Sequence, residues 1–322
     1  MVYFIFSTLL IVKKNIKKIL FFALSFLVGS VFLYSSYTKA FPIQLFEYTL
    51  VEFLHLPWLL AAVGARLFVG MEAGLGCLLL VSLFGANKWV LKVALALLSI
   101  FSIYIIYLWV RFGGEVNCGC FGDKVLLSPA ASLGKNMALI AAVLVLLRYA
   151  EGLRFRRDYL VVSAISIAGL VLPFILFVVP LQQSKLSGRP PYVSDIAPLF
   201  KLSSNAVPDL RKGKHVVAFF HQGCPHCRLA AYKLHLMHQS NPALPLFMVI
   251  GGLQSDLTDF WKVTKANDVP YTRLDKDDFL NITHGIFPLI LLIDNGEIAG
   301  SEDYNDLGQQ FLEDWVAGKQ VK

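Results

Sequence analysis

Two cysteines separated by a proline and a histidine, Cys224-Pro225-His226-Cys227, have the spacing of a dithiol that can open and close a disulfide. Their reactive form would be the thiolate, so what surrounds each sulfur decides its chemistry. A static disulfide or half of a tetrahedral zinc site is the competing reading. There is no second Cys-x-x-Cys to complete a four-sulfur site, which leaves only His221, His226 and Cys118/Cys120 as further donors, and no metal is expected. Cys118 and Cys120 flank Gly119 in Val116-Asn117-Cys118-Gly119-Cys120-Phe121-Gly122-Asp123. Cysteines one residue apart close a ring only if the backbone folds tightly, a freedom Gly119 provides, and such a ring is strained and oxidising. A static disulfide, a partial metal site or two unconnected loop thiols are the alternatives. Cys77 stands alone in an apolar stretch, where a small hydrophobe is the default reading of a cysteine.

The Cys224 pair needs elements to position it. Val216 to Phe220 reads as a buried strand, and Leu229 to Met237 carries apolar residues at helical spacing, so Cys224 falls at the mouth of a helix. Unpaired N–H groups and the positive dipole end favour an anionic sulfur there. Pro225 suits the first turn, and His226 adds a donor or a positive charge. Next come a strand (Leu246 to Ile250), a helix (Leu257 to Ala266), Gly285-Ile286-Phe287-Pro288 leading into Leu289 to Ile293, an Asn295-Gly296 hairpin turn and a final helix (Leu307 to Val316). In order and motif, about Asp195 to Lys322 resembles the thioredoxin superfamily. The resemblance implies a cis Phe287–Pro288 bond facing the dithiol, its backbone offering strand-like pairing to a cysteine peptide. The Pro-His dipeptide is closer to oxidising DsbA-type proteins than to thioredoxin, and Ala218 stands where thioredoxins usually place a buried acid.

Composition places this chemistry at a membrane. The chain has 322 residues, 56% of them hydrophobic, and a mean hydropathy of +0.62, with the apolar residues concentrated before about Pro180. Five spans are expected, at Ile19–Tyr37, Trp58–Phe84, Trp89–Val110, Leu133–Tyr149 and Tyr159–Val179. The fold class is therefore an α-helical transmembrane bundle followed by an α/β thioredoxin-like domain. Residues 1–18 form a cytoplasmic or interfacial lead, 19–150 the main bundle, 151–180 the fifth helix, 181–202 a Ser- and Pro-containing tether and 203–322 the soluble domain. No convincing cleavage site follows the first span, which makes it a signal anchor.

Basic residues orient the bundle. Lys13, Lys14, Lys17 and Lys18 precede the first span, Lys88 and Lys92 lie between the second and third, and Arg148, Arg154, Arg156 and Arg157 between the fourth and fifth. The opposite loops hold only Lys39, Arg111, Lys124 and Lys135. The N-terminus is expected in the cytoplasm, and both cysteine pairs outside it, in the periplasm of a bacterium whose inner membrane holds the bundle. The net charge of +7 reflects this topology and gives no case for nucleic acid.

The membrane half, about Lys18 to Arg148, resembles the methylamine-utilisation protein family MauE, within a wider DoxX-like group. The matching pieces are Tyr34-Ser35-Ser36-Tyr37-Thr38-Lys39, Ala65-Arg66-Leu67-Phe68-Val69-Gly70-Met71-Glu72, and Asn117 to Gly122 followed by Ser132 and Asn136. The resemblance implies a role in maturing disulfide-rich partner proteins; a methylamine pathway does not follow from it. Arg66 and Glu72 lie about 120° apart around one helix, so each needs a partner elsewhere, with Lys39, Glu47, Glu52 and His55 as candidates. Lys39, Arg66 and Glu72 are thus an intramembrane polar site or a structural ion-pair set. Phe41 to Leu56 is expected as an amphipathic interfacial helix, and Gly70-x-x-x-Gly74 as a close helix contact.

Together these features point to a thiol–disulfide oxidoreductase. Extracytoplasmic cysteine-containing proteins would exchange electrons with Cys224–Cys227, where Cys224 is attacked and Cys227 resolves, and that pair with Cys118–Cys120. No covalent cofactor is expected. A quinone in the bundle is the natural final acceptor, with Arg66 or Lys39 as charge partner. Outward electron delivery that reduces or isomerises disulfides is the second reading, and a non-enzymatic assembly factor the third.

Overall fold

The computed structural model describes residues 2–84, 88–114, 128–153, 157–179, 190, 196–200, 208–251 and 257–319, with side chains from Asn15 onward. The Cys118-Gly119-Cys120 pair lies outside the described residues. The chain divides into two compact units, Met1–Val179 and Pro180–Lys322.

Among the described residues the first unit is helical, with α1 (Val2–Ala40), α2 (Ile43–Leu54), α3 (Trp58–Leu80), α4 (Trp89–Phe112), α5 (Pro129–Tyr149) and α6 (Asp158–Leu176). All but α2 contain a segment long and apolar enough to cross a membrane, in α1 the part from Asn15 to Ala40. At 1.5 Å per residue the 23 residues of α3 reach about 35 Å, enough for a hydrocarbon core of about 30 Å. The expected lead and first span are one helix, since α1 runs unbroken from Val2. Helix α3 is the hub. It packs along α1, α2 and α6, and its Leu75, Leu78 and Leu79 join Val28 and Phe32 of α1, Leu91 and Ala94 of α4 and Val143 and Leu146 of α5 in one core. The expected close contact at Gly70 and Gly74 is made with α6: a Cβ on Gly70 would collide with the Gly169 carbonyl, and one on Gly169 would meet Gly70 O at 2.8 Å. Helix α2 does more than lie flat at the interface, because Phe46, Glu47, Tyr48 and Phe53 are buried.

The second unit is built on a five-stranded sheet. Its strands are β1 (Lys214–His221), β2 (Leu246–Gly251), β3 (Tyr271–Arg273), β4 (Leu289–Asp294) and β5 (Glu297–Glu302), in the order β3-β2-β1-β4-β5. β1 pairs parallel with β2 and antiparallel with β4, and β5 returns antiparallel to β4. Helices α7 (Ala197–Phe200), α8 (Pro225–Ser240), α9 (Thr258–Thr264), α10 (Lys276–Thr283) and α11 (Gln309–Val316) complete it. Without β3 at its edge, this is the thioredoxin fold. As the central strand, β1 is buried from Val216 to Phe220, which explains a continuous apolar run in place of alternation. Val217 and Phe219 enter a core with Phe247, Val249, Leu289 and Leu291, so Val216, Ala218 and Phe220 face the other side of the sheet. At the β4–β5 turn Asn295 (φ 50°) and Gly296 (φ 87°) both take the left-handed conformation expected of that dipeptide.

Two features differ from the sequence expectation. The tether does not extend to residue 202, because Ile196 and Leu199 are buried beside Leu210 in the core of this unit. Strand β3 and helix α10 were not anticipated. β3 has only three residues, and α10 is short and polar, started by Asp275, whose carboxylate accepts the Asp278 N–H at 2.8 Å.

Candidate redox site

Cys224 is the N-cap of α8. Its backbone is extended (φ −87°, ψ 121°), and its Sγ accepts the Cys227 N–H at 3.4 Å. Pro225 occupies the first helical turn, where its missing N–H leaves nothing unsatisfied. The strand-to-helix transition is held by Cys224 N–H donating to His221 O (3.0 Å) and Gly223 N–H donating to His221 Nδ1 (3.2 Å). The His221 ring stacks on Phe287, with centroids 5.2 Å apart and an 18° interplanar angle. Phe287–Pro288 is cis, as expected, and Phe287 O lies 4.0 Å from Cys224 Sγ. Dithiol and proline loop therefore sit together.

The two thiols differ in access. Cys224 is half-buried, and Cys227 is fully buried. Burial pushes the Cys227 thiol far above its ordinary range, with the nearby Cys224 adding to the shift and the His221 N–H that donates to its sulfur opposing it. Cys227 thus keeps its proton at neutral and mildly alkaline pH, rising through which leaves it uncharged. Brief iodoacetamide treatment of the reduced protein at pH 8 should alkylate Cys224 and spare Cys227 by more than about a hundredfold in rate. Peptide mass spectrometry would check this, and equal labelling would contradict the asymmetry.

His226, exposed on the first turn, is not free. Its Nδ1 lies 2.9 Å from the Tyr304 hydroxyl, on the segment after β5. Nothing in residue spacing links Tyr304 to the cysteines, and the sequence reading missed it.

In the membrane unit, the polar residues resolve into two buried ion pairs. Lys39 Nζ donates to both Glu72 carboxylate oxygens at 2.8 Å and to Ser35 Oγ at 2.7 Å. It also sits over the rings of Phe46, Phe68 and Phe101 at 5.7, 5.2 and 5.1 Å. Arg66 Nη1 donates to Glu47 at 2.6 Å, while its Nε and Nη2 reach Phe177 O and Val178 O at 2.7 Å. The guanidinium thereby ties α3 to α2 and caps the end of α6. Lys39 and Arg66 are each 1% exposed. A small cleft beside the first pair is lined by Ser35, Glu72, Lys135 and Asn136 among apolar side chains. Cys77 faces outward from α3.

Comparison with known proteins agrees with this division. Residues 17–149 match the family model of methylamine utilisation protein MauE. Protein TlpB of Flavobacterium psychrophilum is 24% identical over 317 residues, an alignment covering 81% of this chain and 84% of that protein. Among solved structures, the thioredoxin domain of a thiol-disulfide oxidoreductase from Bacteroides vulgatus is 23% identical with a TM-score of 0.30, over 34% of this chain and 82% of that one. A thiol:disulfide interchange protein from a Bacteroides species is 22% identical with a TM-score of 0.31, over 43% and 93%. The chain thus has a helical segment similar to MauE over residues 17–149, followed by a unit of thioredoxin-like sheet order that carries a Cys-Pro-His-Cys pair at the mouth of α8.

Proposed function

We propose that the chain is a membrane-anchored thiol–disulfide oxidoreductase that supports disulfide formation in extracytoplasmic proteins. The observation that carries this reading is the asymmetry of the dithiol: an accessible Cys224 capping a helix beside the Phe287–Pro288 loop, and a buried, protonated Cys227 behind it. In the oxidised enzyme a substrate thiolate attacks Cys224 Sγ, and the Cys227 sulfur leaves with the electron pair. The substrate's second thiolate then attacks its own sulfur in the mixed disulfide and expels Cys224. The substrate loses two electrons and two protons, and the Cys224–Cys227 pair gains them. The reduced pair would be reoxidised by exchange with a Cys118–Cys120 disulfide, for which a quinone in the bilayer would supply the final two-electron oxidising capacity.

The cleft at Ser35, Glu72, Lys135 and Asn136 is our choice for the quinone headgroup. Lys39 and Arg66 already have carboxylate partners, which makes them poor candidates for direct charge partners of that ligand. The orientation follows the distribution of basic residues, with the N-terminus cytoplasmic and the thioredoxin-fold domain on the other side. Outward, reductive flow is the second reading, but the cytoplasmic-facing dithiol it needs has only Cys77 to offer.

Trapping thiols in living cells and comparing wild type with a Cys118→Ser, Cys120→Ser variant tests the relay. The expected result is a Cys224–Cys227 pair that is mostly oxidised in the wild type and accumulates reduced in the variant. A pair that becomes more oxidised would reverse the direction of flow, and an unchanged pair would uncouple the two.

A further inference from the structure

Tyr304 touches helix α8 at two places. Its hydroxyl meets His226 Nδ1 at 2.9 Å, and its carbonyl accepts from Lys233 Nζ at 2.7 Å, an ammonium that also donates to Asn305 O at 3.1 Å. His226 and Lys233 are seven residues apart, so they lie on one face of the helix, two turns from each other. Lys233 is only 5% exposed. A buried ammonium bound to two carbonyls holds this segment firmly, because leaving it without partners would be costly. Tyr304 itself is 7% exposed. Burial, then Asp303 and the two cysteine sulfurs, push its phenol up against a lowering hydrogen bond from Asn305, so the hydroxyl keeps its proton. It is available as a donor to Nδ1, and in the tautomer that accepts this bond the ring proton sits on Nε2.

We infer that Tyr304 is a positioning residue for the dithiol: it fixes the ring and tautomer of His226 at the mouth of the helix that bears Cys224, and so sets how oxidising the pair is. The inference rests on the thiol–disulfide reading above. A fixed imidazole offers a donor to the Cys224 thiolate at the moment it is expelled, which favours the reduced state. A ring free to rotate offers less.

The test uses the full-length protein in detergent, equilibrated with glutathione buffers and trapped by alkylation. Trypsin cleavage after Lys214 and Arg228 isolates a peptide that contains Cys224 and Cys227 and no other cysteine. Tyr304→Phe is expected to shift the equilibrium at least about threefold toward the disulfide, a potential about 15 mV lower for two electrons. It removes one oxygen and leaves the carbonyl that Lys233 holds, so the fold should persist. In a His226→Ala background the same substitution should have no effect. A shift of equal size in that background, or no shift in either, overturns the inference. A wild-type pair that never equilibrates with glutathione overturns the thiol–disulfide reading itself, and this inference with it.

Discussion

Replacing Cys224 with serine is expected to lower the rate of thiol–disulfide exchange by more than about a thousandfold, because the reacting group is a thiolate and a serine hydroxyl stays protonated near neutral pH. The measurement is the oxidation of a dithiol peptide by full-length protein in detergent. Cys227→Ser should behave differently. It keeps the accessible sulfur at the helix N-cap and loses the buried one behind it, so no internal disulfide is left to oxidise a substrate dithiol, and a Cys224 that attacks a substrate disulfide has no internal thiol to resolve the mixed disulfide it forms. Mixed disulfides with substrates should accumulate and be visible on non-reducing gels. A Cys224→Ser protein that still matures its partners in cells would refute the enzymatic reading and favour an assembly factor.

The second large effect is expected in the membrane unit. Glu72→Met leaves the Lys39 ammonium among Phe46, Phe68 and Phe101 with the Ser35 hydroxyl as its oxygen partner. Removing one member of a buried ion pair typically costs about 3–5 kcal/mol, because the surviving charge is stranded. Replacing both members with apolar groups of similar volume is often close to neutral. Thermal unfolding in detergent should therefore show a large loss for Glu72→Met and a much smaller one for the Lys39→Met, Glu72→Met double variant. If the single variant is as stable as the double, the pair contributes nothing to holding α1 against α3.

The sequence made the frame of the molecule legible and left the side-chain partnerships largely open. Spans and sheet strands come from hydropathy and period, which are local. The position of Cys224 at a helix mouth is equally local, since it follows from an apolar strand, a turn and Pro225 at the first helical position. Glu47 could be named as a candidate for Arg66, and Lys39 beside Glu72, because an intramembrane charge demands a partner; which acid meets which base depends on how α1, α2 and α3 cross. The end of the tether was misjudged for a related reason. Ile196 and Leu199 lie in Ile196-Ala197-Pro198-Leu199-Phe200, an apolar run too short to show a period, and the core they join is made mostly by residues farther along the chain, such as Val217 and Phe247. Tyr304 and Lys233 were hidden more deeply, being distant in sequence and joined through a backbone carbonyl that carries no residue-specific signal.

The pairing of Lys39 with Glu72 and of Arg66 with Glu47 also bears on what it costs to place α3 in a bilayer. Each unpartnered charge near the middle of a span costs about 2.5–3.5 kcal/mol to insert, and α3 carries two, of opposite sign. Released alone from the translocon, α3 would bear both penalties. Its partners sit on α1 and α2, which are synthesised first and are waiting when α3 emerges. The accommodation of α3 in a bilayer is therefore tied to α1 and α2: with both pairs made, neither of its charges is left to face lipid alone.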